Sequence, residues 1–517
     1  MNLLSDPLLP SLCRESGPQV TSLPDLFASY ARDDVRELPF LRPHQQMPWH
    51  AFMVQLAALA LHRSGSCDIP DDPEHWREIL RGLTPEWPDD EPWRLVVDDL
   101  HEPAFMQPPI PKGSADPYKS TIQTPDDLDV LVTSKNHGVK QATARDADPS
   151  AWIVALVLLQ TTGGYFGSGN YGIARMKSSY ATRPFVSLVP RGGICAHWRR
   201  DVGLLLASRE ANLREYDIFA ENDGTTLLWC RPWDGESQID LDCLDPWFIE
   251  ICRRVKLDQR DKKQITARTA GSKAARIAAA DLKGNLGDPW IPINRAQDGA
   301  AYNQKPTYRV MSAVLFDSEE WKRPTLLQWS DGLDCVPMTV RFDVTEREHG
   351  KTGTRGHHRR EVPIADADQW KTLFDPAQKD RVAQLAREMI DNARRLQNPV
   401  LKFPLMSLVQ GGARDVKLGD QTADAWARPW LERADLRIDE HFFDHLFAIA
   451  GTGSHERWAR FLQTIARETF ADAALSLPIA GMRRIKALAI AEDKLESFFH
   501  QNFKDYLPKA QKESAVA

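Results

Sequence analysis

Apolar positions crowd into two stretches that no polar face interrupts. Residues 47–62 (MPWHAFMVQLAALALH) predict a buried helix, with Pro48 tolerated in its first turn. Residues 152–160 are apolar on every side, and periodicity alone leaves a buried strand or a helix open. Between and beyond them the pattern shortens. Residues 76–83 read as a short helix and 184–190 (PFVSLVP) as a strand; 224–233 suggest a turn and then a strand. Residues 244–255 (LDPWFIEICRRV) are apolar, with Asp245-Pro246 as a helix start signal. Strand patterns at 338–342 and 361–364 flank a basic stretch rich in Gly, Thr and His, which predicts a protruding hairpin.

The texture changes near residue 375. Asp375-Pro376 offers a cap and a first-turn proline, and Val382, Leu385, Ala386, Met389, Ile390 and Ala393 recur at helical spacing. Residues 441–450 predict a second helix. Trp458, Phe461, Leu462, Ile465 and Phe470 mark a third, and Ile485, Leu488, Ala489, Leu495, Phe498 and Phe499 a fourth. The fold class expected is α+β: a large mixed N-terminal domain over 1–372, followed by a C-terminal four-helix bundle over 373–517.

Composition narrows the function classes. At 517 residues, 42% apolar and 26% charged, the chain is that of a soluble globular protein with room for several cores. No window approaches the ~18 apolar residues of a membrane span, and the first residues carry no secretory pattern, so a cytoplasmic location and no membrane contact are expected. Seven cysteines without CxxC spacing predict reduced thiols, no disulfide framework and no zinc. The sixteen tryptophans predict large buried anchors.

Charge changes the picture most. The net charge is -7, yet residues 150–200 contain no Asp or Glu and carry six Arg or Lys, Arg175 and Lys177 among them. Residues 251–283, including Lys273 and Lys283, carry a net +7, and 349–360 a net +4. If these segments converge, they form one cationic face suited to phosphates. Inside the first lies a glycine-rich stretch: Gly163, Gly164, Gly167, Ser168, Gly169 and Asn170. Positions 167–172 fit GxGxxG. A dinucleotide site, however, needs a strand before the loop, a helix after it and an acid about 20 residues on. Here the nearest downstream acid is Asp201, and Arg183-Pro184 cuts any helix short. What is left is a ligand-free turn or backbone brought close to a nucleic-acid groove. His349, His357 and His358 raise a metal-dependent nuclease as an alternative, but no carboxylate pair at ligand spacing completes it. No nucleophile motif supports catalysis, and no cofactor is implied.

Several segments together resemble CasA, the large subunit of the type I-E CRISPR Cascade complex. They are Asn2-Leu3-Leu4 with Asp6; Glu102-Pro103-Ala104-Phe105-Met106-Gln107; Ser134-Lys135-Asn136-His137-Gly138-Val139-Lys140; the glycine stretch with Phe185-Val186 after it; Leu244-Asp245-Pro246 leading to Cys252-Arg253-Arg254; Gly287-Asp288-Pro289-Trp290; and His358-Arg359-Arg360. Their order runs over nearly the whole chain. The resemblance implies a non-catalytic subunit that recognises the protospacer-adjacent motif (PAM) in double-stranded DNA, starts unwinding it and helps recruit a separate helicase-nuclease. It implies three loops. Asn136, His137, Gly138, Val139 and Lys140 would anchor the subunit near the 5′ end of the guide RNA, among other Cascade subunits. Gly163, Gly164, Gly167, Ser168, Gly169 and Asn170 would approach the minor groove. Lys351, Thr352, Gly353, Thr354 and Arg355 would form a wedge in the duplex. A lysine of the middle basic region, Lys273 or Lys283, would touch the PAM; the charge pattern itself adds Arg175 and Lys177 as supporting cations. A scaffold that touches only protein partners is the remaining alternative.

Overall fold

The computed structural model describes residues 1–66, 68–113, 118–129, 148–177, 182–260, 264–300, 304–347, 354–477 and 481–507. The chain divides into two compact units, Met1–Pro306 with Ser318–Asp366, and Thr307–Asp317 with Ala367–Ala517. The fold is mixed α+β with a helical C-terminal region.

The first unit is built around two helices that are apolar all round, Gln46–Ser64 and Pro149–Thr162. A helix without a polar face is stable only where other elements cover it completely. The second resolves the strand-or-helix ambiguity: Pro149 opens it, and residues 152–158 are all buried. Helix Ile194–Glu215 crosses beside them, and its Trp198 packs on Phe27, Tyr30 and Trp76. Of the sixteen tryptophans, ten are fully buried, the structural anchors their number implied.

Short sheets surround this core. Strand Met338–Arg347 runs antiparallel between Thr354–Ile364 and Phe185–Pro190. Strand Gln264–Ala270 lies between Arg254–Arg260 and Ser120–Ile122. Two expectations fail nearby. Residues 244–249 form a strand, not a helix. The Asp245 carboxylate is taken by Arg209 (3.1 and 2.7 Å) and by the amide of Trp247 two residues on, so no first helical turn forms beneath it. Only Thr225–Leu227 of the next segment pairs as a strand; Leu228–Cys230 is a 3-10 turn.

The second unit is helical: Tyr308–Phe316, Ala367–Phe374, Lys379–Arg395, Lys402–Val409, Gln421–Thr452, Glu456–Leu475 and Met482–Phe503. The first is drawn from inside the mixed stretch. Asp439 accepts its Tyr308 amide (2.5 Å), and Asp435 takes the Arg309 guanidinium (2.7 and 2.8 Å). Asp375 caps only its own turn, at the Ala377 amide (2.9 Å), and the helix starts at Lys379. The helix expected at 441–450 starts twenty residues earlier, where Asp420 accepts the amides of Thr422 and Ala423. Among the described residues no helix is long and apolar enough to cross a membrane.

Candidate nucleic-acid interface

The glycine loop leaves the end of helix Pro149–Thr162, so it follows a helix where a dinucleotide fingerprint needs a strand. It folds tightly on itself. Ile173 donates to the Gly163 carbonyl (2.9 Å), Phe166 to Asn170 (2.9 Å) and Asn170 to Gly167 (3.0 Å). Gly167 and Gly169 hold φ of 107° and 84°, a region that side chains disfavour. A Cβ on Gly172 would lie 2.6 Å from the Gly164 carbonyl carbon. Glycine is required at the crossing itself. Ser168 and Asn170 stand exposed at the tip.

Two further loops join it. Ser272 donates to the Gly169 carbonyl (3.0 Å), and Lys273 to that of Gly235 (2.6 Å). Arginines brace the first two: Arg253 reaches the Gly164 carbonyl (2.6 Å) and Arg254 that of Gly271 (3.0 Å). Asp234 shapes the third loop by accepting the amides of Glu236 and Ser237 and the Ser237 hydroxyl, and these bonds hold its carboxyl down at about 2.

The result is a cleft of about 330 Å³. Gly164, Tyr165, Tyr171 and Gly172 form one wall; Lys177, Lys273 and Lys283 enter from three separate segments. Tyr165 and Tyr171 lie 5.8 Å apart, ring to ring. Each lysine has only a light tether: Lys177 to the Gln297 carbonyl (3.2 Å), Lys273 to Glu236 (2.5 Å) and Lys283 to Asp298 (3.1 Å). The last two pairs are largely exposed, so water screens them and an incoming phosphate can displace them at little cost.

Other cations do not serve a surface. Arg175 is buried, stacked over Phe248 (4.2 Å), bonded to the carbonyls of Pro246 and Phe248, with Asp288 at 3.8 Å. It holds the strand beneath the loop and cannot act as a supporting contact to a ligand. Arg183 pairs with the same Asp288 (2.8 Å), and Arg200 with Asp201 and Asp334. Arg253, Arg254, Lys256 and Arg276 are buried too. Lys256 gives its ammonium to the Glu102 and Gln107 carbonyls, and burial pushes it down to about 7. Summed charge therefore overstated the cationic face: seven of the counted cations are internal braces.

The hairpin forms as the pattern implied, with Val344 opposite His358. Its histidines are engaged separately: His357 on Asp343, His358 on Glu346 (3.1 Å). Asp343 also takes Arg359 (2.6 Å), whose other nitrogens reach Gln46 and Pro43 and seat the hairpin on the core helix. Among the described residues no ligand set converges there, and His349 lies outside them. So do Lys351, Thr352 and Gly353 of the wedge, and all of Asn136, His137, Gly138, Val139 and Lys140. Thr354 begins the return strand; Arg355 is exposed and pairs with Glu346 (3.4 Å). Sequence reasoning missed Tyr165, Tyr171, the bracing arginines and the counter-ions Glu236 and Asp298. A second glycine-lysine turn directly after a strand, Gly271-Ser272-Lys273, was the available signal.

No family model matches the chain, and a search of curated proteins finds no match. The solved structures do match. The chain is similar over 98% of its length to Cse1 from Acidimicrobium ferrooxidans (99% of that chain, 18% identity, TM-score 0.64). It is likewise similar to Cse1 from Thermobifida fusca (98% of each chain, 14% identity, TM-score 0.64) and to CasA (Cse1) from Thermus thermophilus (97% and 99%, 15%, 0.63). The fold is thus that of the CRISPR-associated Cse1 proteins from end to end, at identities where only the fold carries over.

Proposed function

We propose that this chain is the CasA-type large subunit of an RNA-guided Cascade-like surveillance complex. In this reading it performs no chemistry of its own. It reads a short PAM in double-stranded DNA, begins its opening, and helps recruit a helicase-nuclease that cuts. The observation that carries the reading is the cleft. The two ends of the glycine loop, Gly164 and Gly172 with Tyr165 and Tyr171, line it together with three lysines drawn from positions 177, 273 and 283, while Gly167, Ser168, Gly169 and Asn170 lie outside its lining. Main chain without side chains can follow a narrow groove, and lysines beside it can neutralise the flanking phosphates. The minor groove offers a degenerate code, so such a contact suits a loose motif, while guide RNA supplies the sequence. The hairpin, seated on the core helix by Arg359, is the element to push into the opened step. Asn136, His137, Gly138, Val139 and Lys140 are assigned to the guide-RNA end on resemblance alone.

The test is duplex binding by the reconstituted complex, with and without this chain, on PAM-bearing and PAM-free DNA. PAM-dependent binding that needs the chain supports the proposal. Equal binding of both duplexes would leave a protein-binding scaffold. Cleavage that needs a divalent metal and His357 would replace the reading with the nuclease.

A further inference from the structure

Far from the cleft in the logic of the site, three potential metal ligands meet inside the core. His50 lies on helix Gln46–Ser64; His197 and Asp201 lie one turn apart on helix Ile194–Glu215. The His50 and His197 Nε2 atoms stand 2.9 and 3.1 Å from the same oxygen, Asp201 Oδ2. All three residues are buried, and among the described residues this is the only such group. Neighbouring vertices of a tetrahedron with bonds of about 2.0 Å are about 3.3 Å apart, close to the spacing found.

Hydrogen bonding alone satisfies the cluster poorly. The two rings are stacked, 3.9 Å apart and 19° from parallel, so both nitrogens face one carboxylate oxygen. His50 makes a hydrogen bond there; the His197 Nε2 has no hydrogen-bond partner among the described residues. If that nitrogen carries a proton, a buried donor is wasted. If it does not, its lone pair faces carboxylate lone pairs. A cation accepting three lone pairs resolves the conflict. Arg200 donates to the other oxygen, Asp201 Oδ1 (3.0 Å), and so fixes which oxygen faces the histidines, as outer partners of metal ligands do. Two further charges border the site. Arg200 is itself neutralised by Asp334, and Arg341 by Glu361.

We propose that His50, His197 and Asp201 form a buried structural site for one divalent d-block ion, of which zinc best fits two imidazoles and a carboxylate. The ion would staple the two core helices. Cysteine spacing in the sequence gave no sign of it, because no cysteine takes part.

The full chain, stripped with chelator and titrated with Co²⁺, tests it. A visible d–d band that saturates at one ion per chain and is displaced by Zn²⁺ is expected. His50→Gln and His197→Gln should each abolish it, while His75→Gln, on the exposed face of another helix, keeps it. Circular dichroism reports whether each variant is folded. Where one is not, His197→Cys retains a ligand and must add a thiolate-to-cobalt charge-transfer band. No band in the native chain, or a band that survives both glutamine substitutions, overturns the site.

Discussion

Gly169 and Gly271 meet backbone to backbone: a Cβ on Gly271 would lie 3.5 Å from the Gly169 Cα, while Ser272 donates to the Gly169 carbonyl at 3.0 Å. One Cβ on Gly271 fits; the branches of valine do not. Gly271→Val should part the loops and lower duplex affinity of the assembled complex about tenfold, about 1.4 kcal/mol, with the fold retained. Gly169→Ala, at φ 84°, should cost about 1–2 kcal/mol through strain alone. Mobility shift and thermal melting measure the two effects; unchanged affinity for Gly271→Val would refute the loop's role.

The lysines and Arg175 should separate cleanly in salt titrations. Lys177→Ala, Lys273→Ala and Lys283→Ala should each reduce the slope of log affinity against log salt by about 0.9. Arg175→Ala should leave that slope alone and cost about 1–3 kcal/mol of stability, since the Pro246 and Phe248 carbonyls lose a buried donor while Asp288 keeps Arg183. A slope change with Arg175→Ala and none with the lysines would reverse the assignment.

Asp343 is buried at the hairpin base under His357 and Arg359. Asp343→Ala should destabilise by about 2–3 kcal/mol. Hydrogen exchange should quicken along 338–347 and 354–364 before it does elsewhere. A uniform change over the unit would argue against a local role.

His445, in the helical unit, is held down at about 4, chiefly by burial and then by Arg457. The unfolded chain takes up a proton below about 6.5 and the folded one does not until about 4. The unfolded state therefore binds more protons in this window, and stability falls as pH drops from about 6.5 to about 4. His445→Phe should flatten that part of the stability–pH curve by about 1–3 kcal/mol, read by urea melts at pH 7 and pH 4.5. Parallel curves would exclude this histidine.

The elements legible in advance were those with one dominant signal. The all-apolar run at 47–62 and the hairpin pattern both form. Failures came where a single residue's tertiary partner overrode its local meaning. Asp245 looked like a helix start until Arg209 claimed it. Charge was the least transferable reading. An arginine in an acid-free segment looks solvated, yet Arg175, Arg183 and Arg200 find their acids at Asp288, Asp201 and Asp334, most of them far along the chain. The cleft lysines were named one by one from the sequence, but their convergence depends on crossings such as Gly284 against Met176, where a Cβ would come within 2.7 Å. No spacing rule reports such a crossing.

Strand Met338–Arg347 is bonded on both sides, to the returning arm and to Phe185–Pro190. The arm is therefore mounted as a cantilever with a fixed root. A load on it is carried as shear across the paired residues from Asp343 to Met338, and passes into Phe185–Pro190. On the proposed function, a duplex that resists the hairpin would load the strand next along the chain from the glycine loop, so that grip and prying become one mechanical event.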